Sequence, residues 1–535
     1  MRNRRWIIGI LGAFAAACGS GTSTSDDLQG NDLTGISGVE RGVHFDGQVF
    51  VSTTATDGDI EGAILKQTEV AIGSLRADEV SLSKRHTTGG VDRSSWQRRT
   101  VKIVDPATGS STGDLLQVTY RYNDRAAVSH KHDNQSALAM TLLASDYESK
   151  FGQFGTACSE DGSLIWYWYH FRPQNSACLP LIADEARAVQ AERTKLGERS
   201  DAVGPLEAKR IFVPLTVKLD PPNNPSKEFY PEYDRLLSPD KQQIVVYAFL
   251  GVDKDNKDPD DLLGREAIRF YRELLKAQPN LRPVHTEPFA MLLDVYVDGT
   301  KIQDVTYERM FKWLLDRTDY PAEVGNDPAK ILALRKAALA AFAERWIYWD
   351  VPIEVTQGDS KRTVTLEIRS FFGREEGDND VRMHAKWRFL EAFWYGDVFV
   401  YNGHSHLGYS ELSTEEYSSW NFNERYQVMM IQSCISFNYY RGGYMALKPG
   451  GSRNLDTISN GLSSYIDGGG VASARFVAGL FDGKFSSYRK LLESMRVTAA
   501  WETNYEPMRV ADGELDNVYD PTRTPITLKT LGPVY

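Results

Sequence analysis

The sequence predicts an α/β fold, a mostly parallel sheet with flanking helices, preceded by a β-rich N-terminal domain. Three observations carry this expectation. Before about residue 220 apolar and polar residues mostly alternate, the period of half-buried strands. After about Gln242, short continuous apolar runs alternate with amphipathic helical segments, as when strands are buried on both faces. Between the two regimes, Asp220-Pro221-Pro222-Asn223-Asn224-Pro225 reads as a boundary. At 535 residues the chain exceeds what a single core usually holds.

The chain opens with Met1-Arg2-Asn3-Arg4-Arg5 and the short apolar run Trp6 to Phe14, the charge and length of an export signal. Ala15-Ala16-Ala17-Cys18 follows and resembles a bacterial lipobox, which implies acylation of Cys18; plain cleavage after Ala17 is the alternative. Residues 1–18 are therefore expected as a lipoprotein signal peptide and 19–40 as a flexible tether. Export with lipid anchorage to the cell envelope is the expected localisation. The absence of Asp after Cys18 fits the outer membrane.

Within residues 41–225, the segments 43–45, 49–51, 116–122 and 213–219 read as strands, with a helix near Ala183 to Lys195. Ile165 to Phe171 is an aromatic run of high strand propensity. Residues 240–500 form the expected α/β domain. Ile244 to Leu250 is its first buried strand, followed by a helix carrying Leu263, Ala267, Phe270 and Leu274. Asp327-Pro328 caps a second helix, and Met383, Trp387, Leu390 and Trp394 mark a third. Two more apolar strands follow, 397–401 and 426–431. Gly468-Gly469-Gly470 reads as a mobile turn, and 501–535 as a C-terminal tail.

Net charge is −11, and no basic patch is interleaved with aromatics, which argues against a nucleic-acid partner. Of the four cysteines, Cys18 is assigned to lipid. Cys158 and Cys178 are close enough in sequence to form a disulfide in an oxidising compartment. Cys434 is left over, either a small buried hydrophobe or a reactive thiol.

The strand ending at Tyr401 runs into Asn402-Gly403-His404-Ser405-His406, and the strand ending at Ile431 into Gln432-Ser433-Cys434. If these strands are parallel neighbours, imidazole and thiol emerge at one sheet edge, where ligand sites of such sheets lie. Thiol chemistry needs that geometry, because a nearby base takes the proton and later protonates a leaving amine. Gly403 allows a sharp turn off the strand.

An apolar strand ending in Gly-His, a short excursion, and an apolar strand ending in a small residue and Cys resemble the clan CD cysteine peptidases. The spacing is most similar to the gingipains among them. The resemblance covers about Asp397 to Tyr440 and implies a caspase-like sheet and a protein or peptide substrate. It assigns Cys434 as nucleophile and His404 as general acid/base, with the Ser405 backbone N–H as oxyanion donor, where the family carries Gly. His406 takes a supporting role. Asp456, beyond the cysteine strand, is a candidate for the substrate pocket, or a helix N-terminal carboxylate.

Two further readings use the same residues. A caspase-like domain without the reaction would serve as a scaffold or binding module. A metal-dependent hydrolase would use His404 and His406, completed by His285, His384 or carboxylates. No resident metal or other cofactor is assigned. Calcium is the one candidate, at the oxygen-rich loop Asp253 to Asp261, although Lys257 and Pro259 break the EF-hand pattern and no Glu closes it.

Overall fold

A computed structural model describes residues 33–532, apart from 84–89, 161, 198, 200, 223–226, 253–258, 261, 288–293, 375–378, 409–410, 466 and 498–505. Cys18 and the signal segment lie outside the described residues, as does the candidate calcium loop except Pro259 and Asp260. The Asp260 carboxylate pairs with Arg335 at 3.0 Å and Arg317 at 3.7 Å.

Thr34–Gly35 (β1) belongs to a large sheet described below. Gly38–Val51 (β2), Val80–Leu82 (β3), Val91–Val104 (β4), Ser111–Ser129 (β5), Ala137–Leu143 (β6), Ala202–Val203 (β7) and Phe212–Leu219 (β8) build the N-terminal sheet. Its order is β6-β8-β2-β5-β4-β7, with β3 beside β5. Alternation along the strands works as expected: Val43, Phe45 and Val49 of β2 join Val118, Tyr120 and Tyr122 of β5 under helix Asp57–Arg76. Thr56 and Asp59 cap that helix reciprocally.

The second sheet is built from Gln243–Val252 (β9), Arg282–Glu287 (β10), Trp346–Gln357 (β13), Ser360–Arg374 (β14), Val398–Asn402 (β15), Gln427–Gln432 (β16), Leu455–Asn460 (β17), Arg509–Asp512 (β18) and Ile526–Thr530 (β19), plus β1. A separate hairpin pairs Val295–Val297 (β11) with Thr300–Ile302 (β12). The large sheet runs β1-β18-β17-β16-β15-β9-β14-β13-β10, with β19 on β13. Its five central strands, β14-β9-β15-β16-β17, are parallel, and antiparallel strands flank them.

The apolar runs are continuous because both faces are covered. Ile244, Val246, Ala248 and Leu250 of β9 pack in one core with helices Leu262–Ala277, Pro328–Phe342 and Gly469–Leu480. Val245, Tyr247 and Phe249 pack in the other, against Phe389 and Phe393 of helix Asn379–Tyr395. The mixed α/β class is as the sequence predicts.

Four expectations are corrected. Ile165 to Phe171 is not a strand; Tyr167–His170 is a helical turn, entered through Trp166 in the left-handed region at φ 52°. Tyr167 and Phe171 pack in one core with Cys178, at the start of helix Cys178–Leu196, so tertiary packing overrides strand propensity there. The tether ends early, since residues 34–35 and 38–40 are already in strands. The C-terminal tail supplies β18, between β17 and β1, and β19, beside β13. Gly468 to Gly470 is a helix start, where Gly468 at φ 93° and Gly470 donate their N–H groups to the buried Glu266 carboxylate at 2.9 and 3.0 Å. Residues Asn31–Tyr535 cluster as one compact unit.

Candidate active site

β15 and β16 are parallel neighbours, with Asn402 opposite Gln432. His404 and Cys434 therefore stand at equivalent positions, each two residues past that last pair. The Gly403 N–H donates to Gln432 O at 3.3 Å, which carries the pairing one residue beyond the strands. The chain then bends through His406 and Leu407, both at positive φ (45° and 55°), and the Gly408 N–H closes the turn on Ser405 O at 2.7 Å.

Two tyrosines hold the histidine loop by its carbonyls. Tyr401 Oη donates to His404 O at 2.7 Å, and Tyr440 Oη to Ser405 O at 3.0 Å. Tyr440 belongs to helix Ser436–Tyr440, which begins just past the cysteine, so the two loops are tied to each other. The His404 and His406 ring centroids are 5.4 Å apart.

The cysteine turn is held as firmly. Ile435 sits at φ 48°, its N–H donating to Leu462 O at 3.1 Å. Ser436 Oγ donates to Ile431 O at 2.7 Å and accepts the Asn460 N–H at 2.8 Å, while Asn460 Nδ2 donates to Ser433 O at 3.0 Å. Cys434 is partly buried and is the free cysteine among the described residues, because Cys158 and Cys178 are bridged. Its Sγ donates to Ser464 O at 3.2 Å. Burial raises the thiol pKa; hydrogen bonding at Ser464 and the Arg76 charge act against that rise.

Arg76 reaches this site from the N-terminal sheet's helix. Its guanidinium lies 3.9 Å from the Tyr169 ring centroid, donates to Ser463 Oγ at 3.2 Å and pairs with Glu160 at 2.6 Å. Tyr169 Oη is 3.4 Å from Ser463 Oγ, and Asn438 Nδ2 donates to Leu82 O at 2.7 Å. The N-terminal sheet and its helix thus form one wall of the cysteine site. Tyr169 lies in the aromatic run noticed in the sequence; nothing local marked Arg76 or Ser464.

Other candidates do not converge here. Asp456 is the second residue of β17, beside Val428 at the opposite end of the sheet, and fully buried. Its Oδ2 accepts from Tyr426, Tyr488 and Asn517, so it lines no substrate pocket and starts no helix. His285 lies on β10, four strands from β15, stacked on Tyr348 at 4.1 Å, and cannot share a metal with His404. The side chain of His384 lies outside the described residues. Among the described residues no group of three His, Cys, Asp or Glu side chains is arranged to hold a metal. Likewise, no described helix is long and apolar enough to cross a membrane.

No family model, curated protein or solved structure matches the chain.

Proposed function

We propose that the protein is an envelope-anchored, caspase/gingipain-like cysteine peptidase in which Cys434 and His404 act as a dyad. The observation that supports this reading is the Asn402–Gln432 register, because residues 404 and 434 then leave the same sheet edge, each two positions past the last pair. In the reaction, the Cys434 proton passes to the His404 imidazole and the thiolate attacks a peptide carbonyl carbon. The carbonyl electron pair moves to oxygen, facing the Ser405 N–H. On collapse the C–N bond breaks, the imidazolium protonates the departing amine, and an acyl thioester remains on Cys434. Water, deprotonated by the same imidazole, then releases the acid and restores the thiol. Gly403 supplies the turn, and His406 supports the loop that carries the base.

A second reading, a scaffold that keeps the fold without the reaction, draws support from one observation. The thiol is partly buried and engaged with Ser464 O, with its pKa raised. Incubating the full-length protein with a mixed peptide library separates the two. The peptidase reading expects cleavage that disappears in Cys434→Ala and falls at least about 100-fold in His404→Ala. An intact library would leave the scaffold, and cleavage surviving Cys434→Ala would remove Cys434 from the reaction. Anchorage has its own test: metabolic labelling with palmitate is expected to mark the wild type and to be lost in Cys18→Ser.

A further inference from the structure

At the opposite end of the sheet, beside the strand starts, lies a cavity of about 640 Å³. Three cations, Lys241, Arg369 and Arg425, and three carboxylates, Asp240, Glu391 and Asp397, line it. Equal in number, they form two ion pairs within the wall. Lys241 Nζ is 2.6 Å from Asp397 Oδ1, and Arg369 Nη1 is 2.8 Å from Glu391 Oε1. Arg425 Nη2 donates to the carbonyls of Trp394 and Tyr395 at 3.3 and 3.2 Å. An ionic ligand therefore gains little net attraction, whereas a neutral ligand rich in hydroxyls meets donors and acceptors side by side.

From the cavity, exposed aromatics continue along the helix that supplies Glu391 and Tyr395. Tyr395 lines the cavity and is 57% exposed, and Trp387 and Trp394 on the same helix are 64% and 45% exposed. Positions 387, 391, 394 and 395 share one helix face, and the seven-position separation of the two tryptophans spans about 10.5 Å. Trp420, 75% exposed, projects from the turn Ser419–Asn421, which packs against this helix. Large aromatics so exposed on one face mark a binding surface. Flat indole rings spaced along a helix offer platforms for the C–H faces of successive pyranose rings.

We infer that this cavity and the exposed aromatic helix face that continues from Tyr395 bind a neutral oligosaccharide. The site is independent of the dyad: Asp397 precedes β15 and His404 follows it, so the five-residue strand separates them by roughly 17 Å. Binding there leaves the cysteine edge open.

The test titrates the full chain with cellohexaose and chitohexaose, reading tryptophan fluorescence and calorimetry, alongside heparin as an anionic probe. Saturable binding of a neutral hexasaccharide is expected, weakened at least about tenfold in Trp394→Ala and in Tyr395→Ala. These side chains are exposed, so folding should survive their removal, and unchanged melting checks it. No saturation by either neutral sugar, binding indifferent to both variants, or binding of heparin alone would overturn the inference. So would self-association abolished by Trp387→Ala, which would make the patch a protein interface.

Discussion

Asp456 is fully buried, and three donors converge on its Oδ2. Burial pushes its pKa up to about 7, against an ordinary 3.8, with the three hydrogen bonds opposing the rise. The folded state thus keeps the proton that the unfolded chain loses. Stability contributed here is complete below about pH 4, falls as pH rises to about 7, and is then constant, a loss of up to about 4 kcal/mol. Asp456→Asn keeps an acceptor without the proton, so its stability, measured by denaturant unfolding, is expected to lack this fall. An unaltered pH dependence in the variant would refute the assignment. Arg76 offers the second residue-scale test. Its charge lowers the Cys434 pKa, so Arg76→Met should move the thiol titration, followed by absorbance at 240 nm, to higher pH. A shift to lower pH would show that loss of cover matters more than loss of charge.

Among the elements, β15 and β16 were legible because their residues are apolar without interruption, which a strand covered on both faces requires. Their parallel sense was expected from the alternation of strands with helices, whereas their being neighbours was a condition that only the fold met. Met430 is fully buried within β16. Met430→Ala is expected to cost about 2–5 kcal/mol in chemical denaturation and to lower thiol reactivity with it, since the strand aims Cys434. Illegible elements share a physical reason. The 165–171 segment has strand propensity but packs as a turn inside a disulfide-closed loop. β1, β18 and β19 are only two, four and five residues long, and pair with strands far away in sequence. Asp456 was misplaced because a carboxylate after a glycine-rich turn resembles a cap, and only the fold reveals the tyrosines around it.

At the scale of the whole molecule, two sheets share the surroundings of one thiol. Arg76 and Ser463 are 387 residues apart in sequence, so no local pattern could announce their contact. Tyr167 and Phe171, on either side of Tyr169, share a core with the Cys158–Cys178 bridge, which spans 20 residues of sequence. Replacing both cysteines by Ala should destabilise the protein by about 3 kcal/mol in chemical denaturation. The accompanying change should be faster alkylation of Cys434, as Tyr169 loses its support. The central claim is that His404 and Cys434 form one working pair. It is tested most directly by the pH dependence of iodoacetamide alkylation of Cys434 in the folded, full-length chain, with and without His404→Ala. The expected result is selective alkylation near neutral pH that slows roughly tenfold or more in the variant. Identical profiles in the two proteins, or a thiol inert in both, would contradict it.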